Sequence, residues 1–359
     1  MGFLSWFSGN KPAPQPPAPP PPAPPPPAPV KVAAPAPSAQ PSLLERAKDP
    51  LHGDARLRPL VDQLRALKFD DTRAFFDATP DVDERTRAMY GLSESLAAPA
   101  IVQSWPREGQ STSLLTLRGL TCIELAWLAR GRGWAKDLNA AQVGSFESWI
   151  DEARVDLEHA AQQAPNDAVP QIFLMAIEAA ATRGTQLPAM FERARAAAPN
   201  SFYVHARRQW SLLWKWHGSH EQMFAFARAA RDQAPAGSAL PALVAWAICE
   251  RWLAFLQSDE LEGEDAQRAA AAEYIASPAV RAEFDDAWNR TFGAKDFRCS
   301  PAVAPAAAAA FAWNYSGLRE NERAAIALRH TRGYADGWFR SAGEATLVRL
   351  LQKHQVSVE

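Results

Sequence analysis

The sequence predicts an all-α protein in which antiparallel helix pairs stack into a right-handed solenoid behind a proline-rich tail. Three observations support this fold class. Apolar residues recur at three- and four-residue steps over most of the chain after position 42, whereas strand-like alternation is nearly absent. Three successive helical segments end in an alanine–proline pair, at Pro165, Pro199 and Pro235, which lie 34 and 36 residues apart. Residues 8–41 hold 16 of the 30 prolines.

Residues 1–41 are predicted to be a disordered tail. Proline has no N–H donor and a fixed φ, so this segment favours polyproline II and serves as a semi-rigid spacer. An apolar tip precedes it, formed by Phe3, Leu4, Trp6 and Phe7. The tip is shorter than the apolar region of a signal peptide, and Trp6 stands where N-myristoylation requires Ser or Thr. Besides a disordered end, we consider a weak contact of the tip with a membrane surface or a partner.

Residues 42–110 are predicted to form the N-terminal helices. Helices are expected at about 57–67, 71–77 and 83–97, the first with a single apolar face. The segment 99–110 contains Trp105-Pro106 and is predicted to be a loop.

Residues 111–258 are predicted to form the central repeat region. The segment 114–130 is apolar around most of its circumference, so we expect a helix at the centre of the fold, capped by Ser111. The other helices of this region are expected at about 145–163, 169–181, 188–197, 201–216, 219–233 and 240–257.

Residues 259–359 are predicted to continue the stack and cap it. The helices are expected at about 266–276, 278–291, 306–318, 320–332 and 341–356.

Charge and cysteine content restrict the class of protein. The net charge is −2 and the pI is about 6.4, whereas nucleic-acid-binding domains usually have a basic face, so no nucleic-acid partner is expected. Cys122, Cys249 and Cys299 are odd in number and widely spaced, so neither a disulfide framework nor a zinc site is expected. Cys122 and Cys249 lie in apolar helical runs and are predicted to be buried thiols. No apolar run approaches the length of a membrane span. A cytoplasmic location is therefore expected.

The residues before the three prolines fall at matching distances. They are Ala153, Leu157 and Ala160; Leu187, Phe191 and Ala194; and Met223, Ala227 and Ala230. This pattern resembles the second helix of tetratricopeptide repeats, in which small residues let neighbouring helices approach closely. The preceding helices, 169–181 and 201–216, depart from the family pattern, so the resemblance covers roughly a third of the chain.

Three further segments resemble bacterial proteins assigned to a domain of unknown function. They are Leu-Arg-Gly at 117–119, Trp-Leu-Ala-Arg-Gly at 127–131 and Lys-Trp-His-Gly-Ser at 215–219. That family implies no activity.

Common catalytic signatures are missing from the sequence. There is no phosphate-binding glycine loop, no nucleophile elbow and no CxxC pair. His217, His220 and Glu221 lie close together in sequence, but solvation of a turn explains them better than a metal does. We therefore expect no enzyme activity, no metal and no cofactor.

The most site-like cluster in the sequence combines cationic and aromatic side chains. Its candidate binding residues are Arg207, Arg208, Trp214, Lys215, Trp216 and His217. Because Arg and Trp are enriched at binding hot spots, the leading hypothesis is an interaction scaffold that binds a protein or peptide in the concave groove of the solenoid. The alternative is a small-ligand receptor or enzyme whose pocket is lined by this helix. An open groove favours the scaffold, and a closed cavity where Arg, His and carboxylate side chains converge favours the receptor or enzyme.

Overall fold

The computed structural model describes residues 41–131, 137–181, 184–216, 218–258, 260–295 and 297–358. Over these ranges the chain is all-helical and contains no strand, as the sequence predicts. The predicted tail with Phe3, Leu4, Trp6 and Phe7 lies outside the described residues, as does His217.

The described part of the chain forms 18 helices. The first nine are α1 (Leu43–Lys48), α2 (Leu57–Arg65), α3 (Asp70–Asp77), α4 (Val82–Leu96), α5 (Pro99–Ser104), α6 (Thr112–Arg130), α7 (Ala140–Gln163), α8 (Ala168–Ala181) and α9 (Leu187–Ala197). The other nine are α10 (Phe202–Ser211), α11 (His220–Gln233), α12 (Ala242–Leu256), α13 (Gly263–Ala276), α14 (Pro278–Asn289), α15 (Ala304–Gly317), α16 (Asn321–His330), α17 (Trp338–Ala342) and α18 (Glu344–Lys353).

The three alanine–proline pairs end α7, α9 and α11. Their alanines Ala164, Ala198 and Ala234 are the C-caps, with ψ values of 75°, 74° and 133° that leave the helical region. A residue before proline is driven out of the α region by a clash with the proline ring. The nine residues singled out before these prolines are all buried. The repeated pattern therefore marks helix ends and buried faces, as predicted.

Helix α6 is the central helix that its sequence predicts. Every residue from Ser113 to Ala126 is buried, including the charged Arg118 and Glu124. Helix α7 packs along it so closely that a Cβ on Gly119 would lie 2.8 Å from Cγ of Leu157. The charge of Arg118 is compensated by Asp156 of α7, to which it donates a short hydrogen bond.

Four predicted elements differ from the structure. The helix predicted from 145 begins at Ala140, where Asn139 and Gln142 form a capping box. The loop predicted at 99–110 contains α5, where Pro99 occupies the first helical turn and supplies a φ suited to a helix start. The helix predicted at 201–216 ends at Ser211, because the following residues form turns and the N–H of Gly218 donates to the carbonyl of Leu213. The helix predicted at 341–356 is divided into α17 and α18 at Gly343.

The two ends of the described chain meet. Helix α1 packs against α18, and the N–H of Ala335 donates to the carbonyl of Ala47 at 3.2 Å. Arg340 of α17 donates to Glu94 of α4 at 3.1 Å, across a sequence separation of 246 residues. These contacts place α17 beside α4, α10 and α6, where the candidate site forms.

None of the helices in the described ranges combines the length and the apolar character needed to cross a membrane.

The close approach of α6 and α7 gives a matched test of the fold. We expect Gly119→Ala to lower the free energy of unfolding by about 1–3 kcal/mol, because the added methyl overpacks the helix interface. Gly144→Ala is the control, since its Cβ meets nothing within 4 Å in the helix α7, and it should raise stability by about 0.5–1 kcal/mol. Urea unfolding of both variants measures the difference, and equal stabilities would contradict the described packing.

Candidate functional site

A cavity of about 70 Å³ lies where α4, α6, α10, α12, α15 and α17 converge. We call it the central cavity. Its lining residues are Tyr90, Glu124, Tyr203, Ala206, Arg207, Trp210, Trp246, Ala306, Asp336, Gly337 and Arg340. The lining combines aromatic walls with both carboxylate and guanidinium groups.

Helix α10 supplies one wall and is fixed at its N-terminus by Asp83 of α4. The Asp83 carboxylate accepts hydrogen bonds from the N–H groups of Phe202 at 2.9 Å and Tyr203 at 3.1 Å, and from the Ser201 hydroxyl at 2.5 Å. A carboxylate is favourable at this position because the first N–H groups of a helix have no partner within the helix and its N-terminus carries a partial positive charge. The Tyr203 hydroxyl donates to the carbonyl of Ala302 at 2.9 Å, which fixes the ring at the cavity wall.

The opposite wall depends on close backbone packing around Gly337. Its φ of +53° is rare for residues with a side chain, and a Cβ there would lie 2.6 Å from the carbonyl oxygen of Ala306. The indole N–H of Trp246 donates to the same oxygen at 3.2 Å. Trp246, Ala306 and Gly337 therefore form one tightly packed unit.

Arg340 is held by two carboxylates beside the cavity. Its guanidinium contacts Glu94 at 3.1 Å and Asp336 at 3.5 Å. Burial acts to lower the pKa of Arg340, but these two carboxylates hold it above its ordinary value. Asp336 is also 3.5 Å from Arg87 and 3.9 Å from His52. Burial and the positive charge of Arg87 lower the pKa of His52 well below its ordinary value, so the imidazole is neutral near pH 7.

Glu124 differs from the other buried carboxyl groups of the described residues. Asp156 forms ion pairs with Arg107 and Arg118, and Glu250 forms one with Lys215. Glu178 accepts a hydrogen bond from the N–H of Gln186. Asp336 lies 3.5 Å from both Arg87 and Arg340. Glu124 is only 4 % exposed and lines the cavity. No hydrogen bond or ion pair joins its carboxyl group to another described residue. The buried carboxylate oxygen that lacks a hydrogen-bond partner is Oδ2 of Asp336, which lies 3.5 Å from Arg87.

The electrostatics of the cavity disfavour the charged form of Glu124. Burial raises its pKa to about 7, and the neighbouring carboxylate of Glu94 adds to the increase, while Arg340 and Arg207 act against it. Near neutral pH the group is therefore balanced between its neutral and charged forms. A positive charge placed beside it would shift that balance towards the carboxylate.

Arg207 lies on the α10 wall of the cavity. Its guanidinium donates a short hydrogen bond to the Tyr90 hydroxyl and lies 5.3 Å from the centre of the Trp210 ring. Both contacts fix its orientation within the wall.

The structure brings one of the six predicted binding residues to the central cavity, namely Arg207. Arg208 is half-buried and donates to the Ser211 hydroxyl at 3.2 Å, while Lys215 pairs with Glu250 at 3.0 Å. Trp216 packs 4.5 Å from Trp210 between ring centres. Trp214 is 42 % exposed, because α10 ends at Ser211 and Trp214 lies in the turn that follows. His217 lies outside the described residues.

The sequence analysis missed Glu124, Glu94, Asp336 and Arg340. Glu124 carries a signal that could have been used, since it is the only carboxylate in the otherwise apolar run of α6. Glu94, Asp336 and Arg340 come together only when helices that are distant in sequence pack against each other, and no local sequence pattern predicts that packing.

Larger clefts of about 180, 280 and 450 Å³ lie elsewhere on the described surface. In the largest, Arg281 pairs with Glu320 and Arg323 pairs with Asp285, so its charges compensate one another. The central cavity combines burial with the unpaired Glu124 carboxyl, and for this reason it is the stronger candidate.

Other reactive groups give no competing site. Cys122 and Cys249 are fully buried, as predicted. Burial raises the pKa of Cys122 and of Cys299 to about 12 and that of Cys249 well above its ordinary value, so all three thiols are protonated near neutral pH. In the described part of the chain, no group of three or more His, Cys, Asp or Glu side chains is placed to hold a metal ion.

Over the described residues, the fold and the site define an all-helical protein with a partly open cavity of mixed charge. Comparison of the chain with family models, with curated proteins and with solved structures finds no match. The function therefore has to be inferred from the cavity itself.

The raised pKa of Glu124 predicts how stability depends on pH. The folded protein retains a proton that the unfolded chain loses above its ordinary pKa of about 4.5, so stability falls as pH rises from about 4.5 to about 7. We expect Glu124→Gln to remove this loss, making the variant more stable than the unsubstituted protein at pH 8 by up to about 3 kcal/mol and nearly equal at pH 4.5.

Urea unfolding at pH 4.5, 6 and 8 measures this effect, with Glu250→Gln as the control. Glu250 pairs with Lys215 at 3.0 Å, so its substitution removes a hydrogen bond between charged groups and should lower stability by about 1.5–3 kcal/mol at pH 8. A similar loss in Glu124→Gln at pH 8 would contradict the unpaired state of Glu124.

Proposed function

We propose that this chain is a ligand-binding protein whose binding site is the central cavity. The observation that carries the proposal is the Glu124 carboxyl, which is buried at the cavity wall without a partner among the described residues. A buried polar group without a partner costs roughly 1–3 kcal/mol. Such a cost is tolerated at binding sites, where a ligand supplies the missing interaction.

The convergence of side chains supports a receptor over a scaffold. Arg340, Arg207, Glu124 and Asp336 line the cavity, whereas His52 lines a separate cleft. The meeting of arginine and carboxylate side chains around one cavity favours a small-ligand site over an open groove. We propose binding rather than catalysis, because Tyr90, Asp336 and Arg340 are each held by contacts with other groups of the protein.

A second proposal retains the interaction scaffold on a different surface. Trp214 is 42 % exposed, and Trp is enriched among the residues that contribute most to binding at protein interfaces. A protein or peptide partner would then bind outside the central cavity.

Four further features remain proposals about the chain. Contacts between successive helices from α7 to α12 support a right-handed, tetratricopeptide-like solenoid. The repeated alanine–proline helix ends support the same arrangement. The local resemblances support relatedness to bacterial proteins of a domain-of-unknown-function family. Three unpaired cysteines support a cytoplasmic location, and the apolar tip supports a weak contact with a membrane surface.

A ligand screen with a cavity-filled variant tests the receptor proposal. We would measure thermal unfolding of the full chain with three sets of small compounds, namely amines, carboxylic acids and alcohols, and with a panel of peptides. At least one set of small compounds should raise the unfolding temperature by several degrees through binding to the native state. Ala206→Leu should abolish the shift because it fills the cavity.

The matched control is Ala196→Leu, at an exposed position of α9. It should respond as the unsubstituted protein does. Equal shifts in Ala206→Leu, or no shift with any small compound, would overturn the receptor proposal. Stabilisation by a peptide alone would favour the scaffold.

A further inference from the structure

The central cavity presents a carboxyl group within aromatic walls. Tyr203 and Trp210 of α10 and Trp246 of α12 line it together with Glu124 of α6. The face of an aromatic ring attracts a cation and a carboxylate pairs with one, so this combination favours a positively charged ligand group. We propose that the central cavity binds the ammonium group of a small organic amine, with the Glu124 carboxylate as its ion-pair partner. This inference rests on the proposed function and names its ligand class.

The two guanidinium groups of the lining do not make the cavity an anion site. Arg340 is already held by Glu94 at 3.1 Å and Asp336 at 3.5 Å. Arg207 donates to the Tyr90 hydroxyl and lies against the Trp210 ring. A bound anion would also lie close to the carboxyl groups of Glu124 and Asp336, which line the same space.

The charge balance at Glu124 supports a cationic ligand. Its pKa is raised although Arg340 and Arg207 act to lower it, so these arginines do not fully compensate its negative charge. A bound ammonium group supplies the missing positive charge and stabilises the carboxylate. Binding then depends on pH, because the neutral form of Glu124 lacks the ion pair.

Three described neighbours of the cavity have a pKa shifted away from the range in which this dependence should appear. The pKa of Glu94 is shifted down by Arg340 although burial acts to raise it, and burial raises that of Tyr203 well above its ordinary value. The pKa of His52 is well below its ordinary value. The other charged or titratable groups that face the cavity are Tyr90 of α4, Arg207 of α10, and Asp336 and Arg340 at α17. The variant Glu124→Gln assigns a change in affinity between pH 6 and pH 8 to Glu124.

The cavity volume limits the size of the group that enters. About 70 Å³ accommodates roughly five non-hydrogen atoms, since one water needs about 10–15 Å³ on the same scale. Butylammonium has this size, and 1-butanol and butyrate are its neutral and anionic counterparts. These three compounds separate recognition of charge from recognition of shape.

The test is a titration of the full chain with these three probes. The protein carries ¹⁵N-labelled tryptophan, and binding is monitored by NMR through the indole N–H signal of Trp246. The signal is assigned from a Trp246→Phe variant. At pH 8 butylammonium should shift it in a saturable way, and 1-butanol and butyrate should bind at least about tenfold more weakly. From pH 8 to pH 6 the affinity for butylammonium should fall about tenfold, as Glu124 takes up its proton.

Two variants complete the experiment. Glu124→Gln should weaken binding of butylammonium at least about tenfold at pH 8 and remove the pH dependence. Glu158→Gln removes an exposed carboxylate of α7. It should leave the affinity for butylammonium and the pH dependence of that affinity unchanged. The comparison of the three probes and the pH dependence need no variant, so the test holds even if Glu124→Gln folds poorly.

The outcomes separate this inference from the proposed function. Equal binding of 1-butanol, tighter binding of butyrate, or affinity for butylammonium that is the same at pH 6 and pH 8 would overturn the ammonium site and leave the cavity as a binding site. Failure of all three probes to shift the Trp246 signal at any pH would overturn both.

Discussion

The buried contacts of Arg340 hold together parts of the chain that are far apart in sequence. This guanidinium joins α17 to Glu94 of α4 and to Asp336, and Asp336 in turn contacts Arg87 of α4. A buried charge of this kind is tolerated only when partners surround it. The network therefore constrains where the last helices can lie against the first ones, and the wall that contains Gly337 and Trp246 is positioned by it.

Two other buried carboxylates of the described interior have close cationic partners. Asp156 is paired on both sides by Arg107 and Arg118, and Glu250 is paired by Lys215. The Glu124 carboxyl differs from these groups, because it lines the cavity and forms no ion pair with another described residue. Its raised pKa follows from burial and from Glu94. The functional proposal rests on this contrast within a single molecule.

Part of the fold could be predicted from the sequence because its causes are local. The alanine–proline pairs act on neighbouring residues, so the ends of α7, α9 and α11 were correctly located. The composition of 114–130 allows burial on all sides, so the central position of α6 was also predicted. Helix α10 was predicted too long, because the turn after Ser211 depends on packing that a periodic pattern does not record.

The candidate site was harder to predict because it is assembled from distant segments. Arg207 was selected among six candidates for its residue type and its neighbours, and it does line the cavity. Its functional neighbours Glu124 and Arg340 lie on α6 and α17, and only the tertiary packing brings them close to it. Residue type can mark a helix as site-like, but the chemistry of a cavity depends on which charges remain unpaired after folding.

The central claim is that the Glu124 carboxyl has no charged partner among the described residues and that a bound cation forms an ion pair with it. The most direct measurement is the ¹³C carboxyl shift of Glu124 against pH in the full chain, with assignment from Glu124→Gln, in the absence and presence of butylammonium. We expect a pKa near 7 in the free protein and a decrease of about one unit or more with the amine bound. A pKa near 4.5 in the free protein, or a pKa near 7 that the amine leaves unchanged, would contradict the claim.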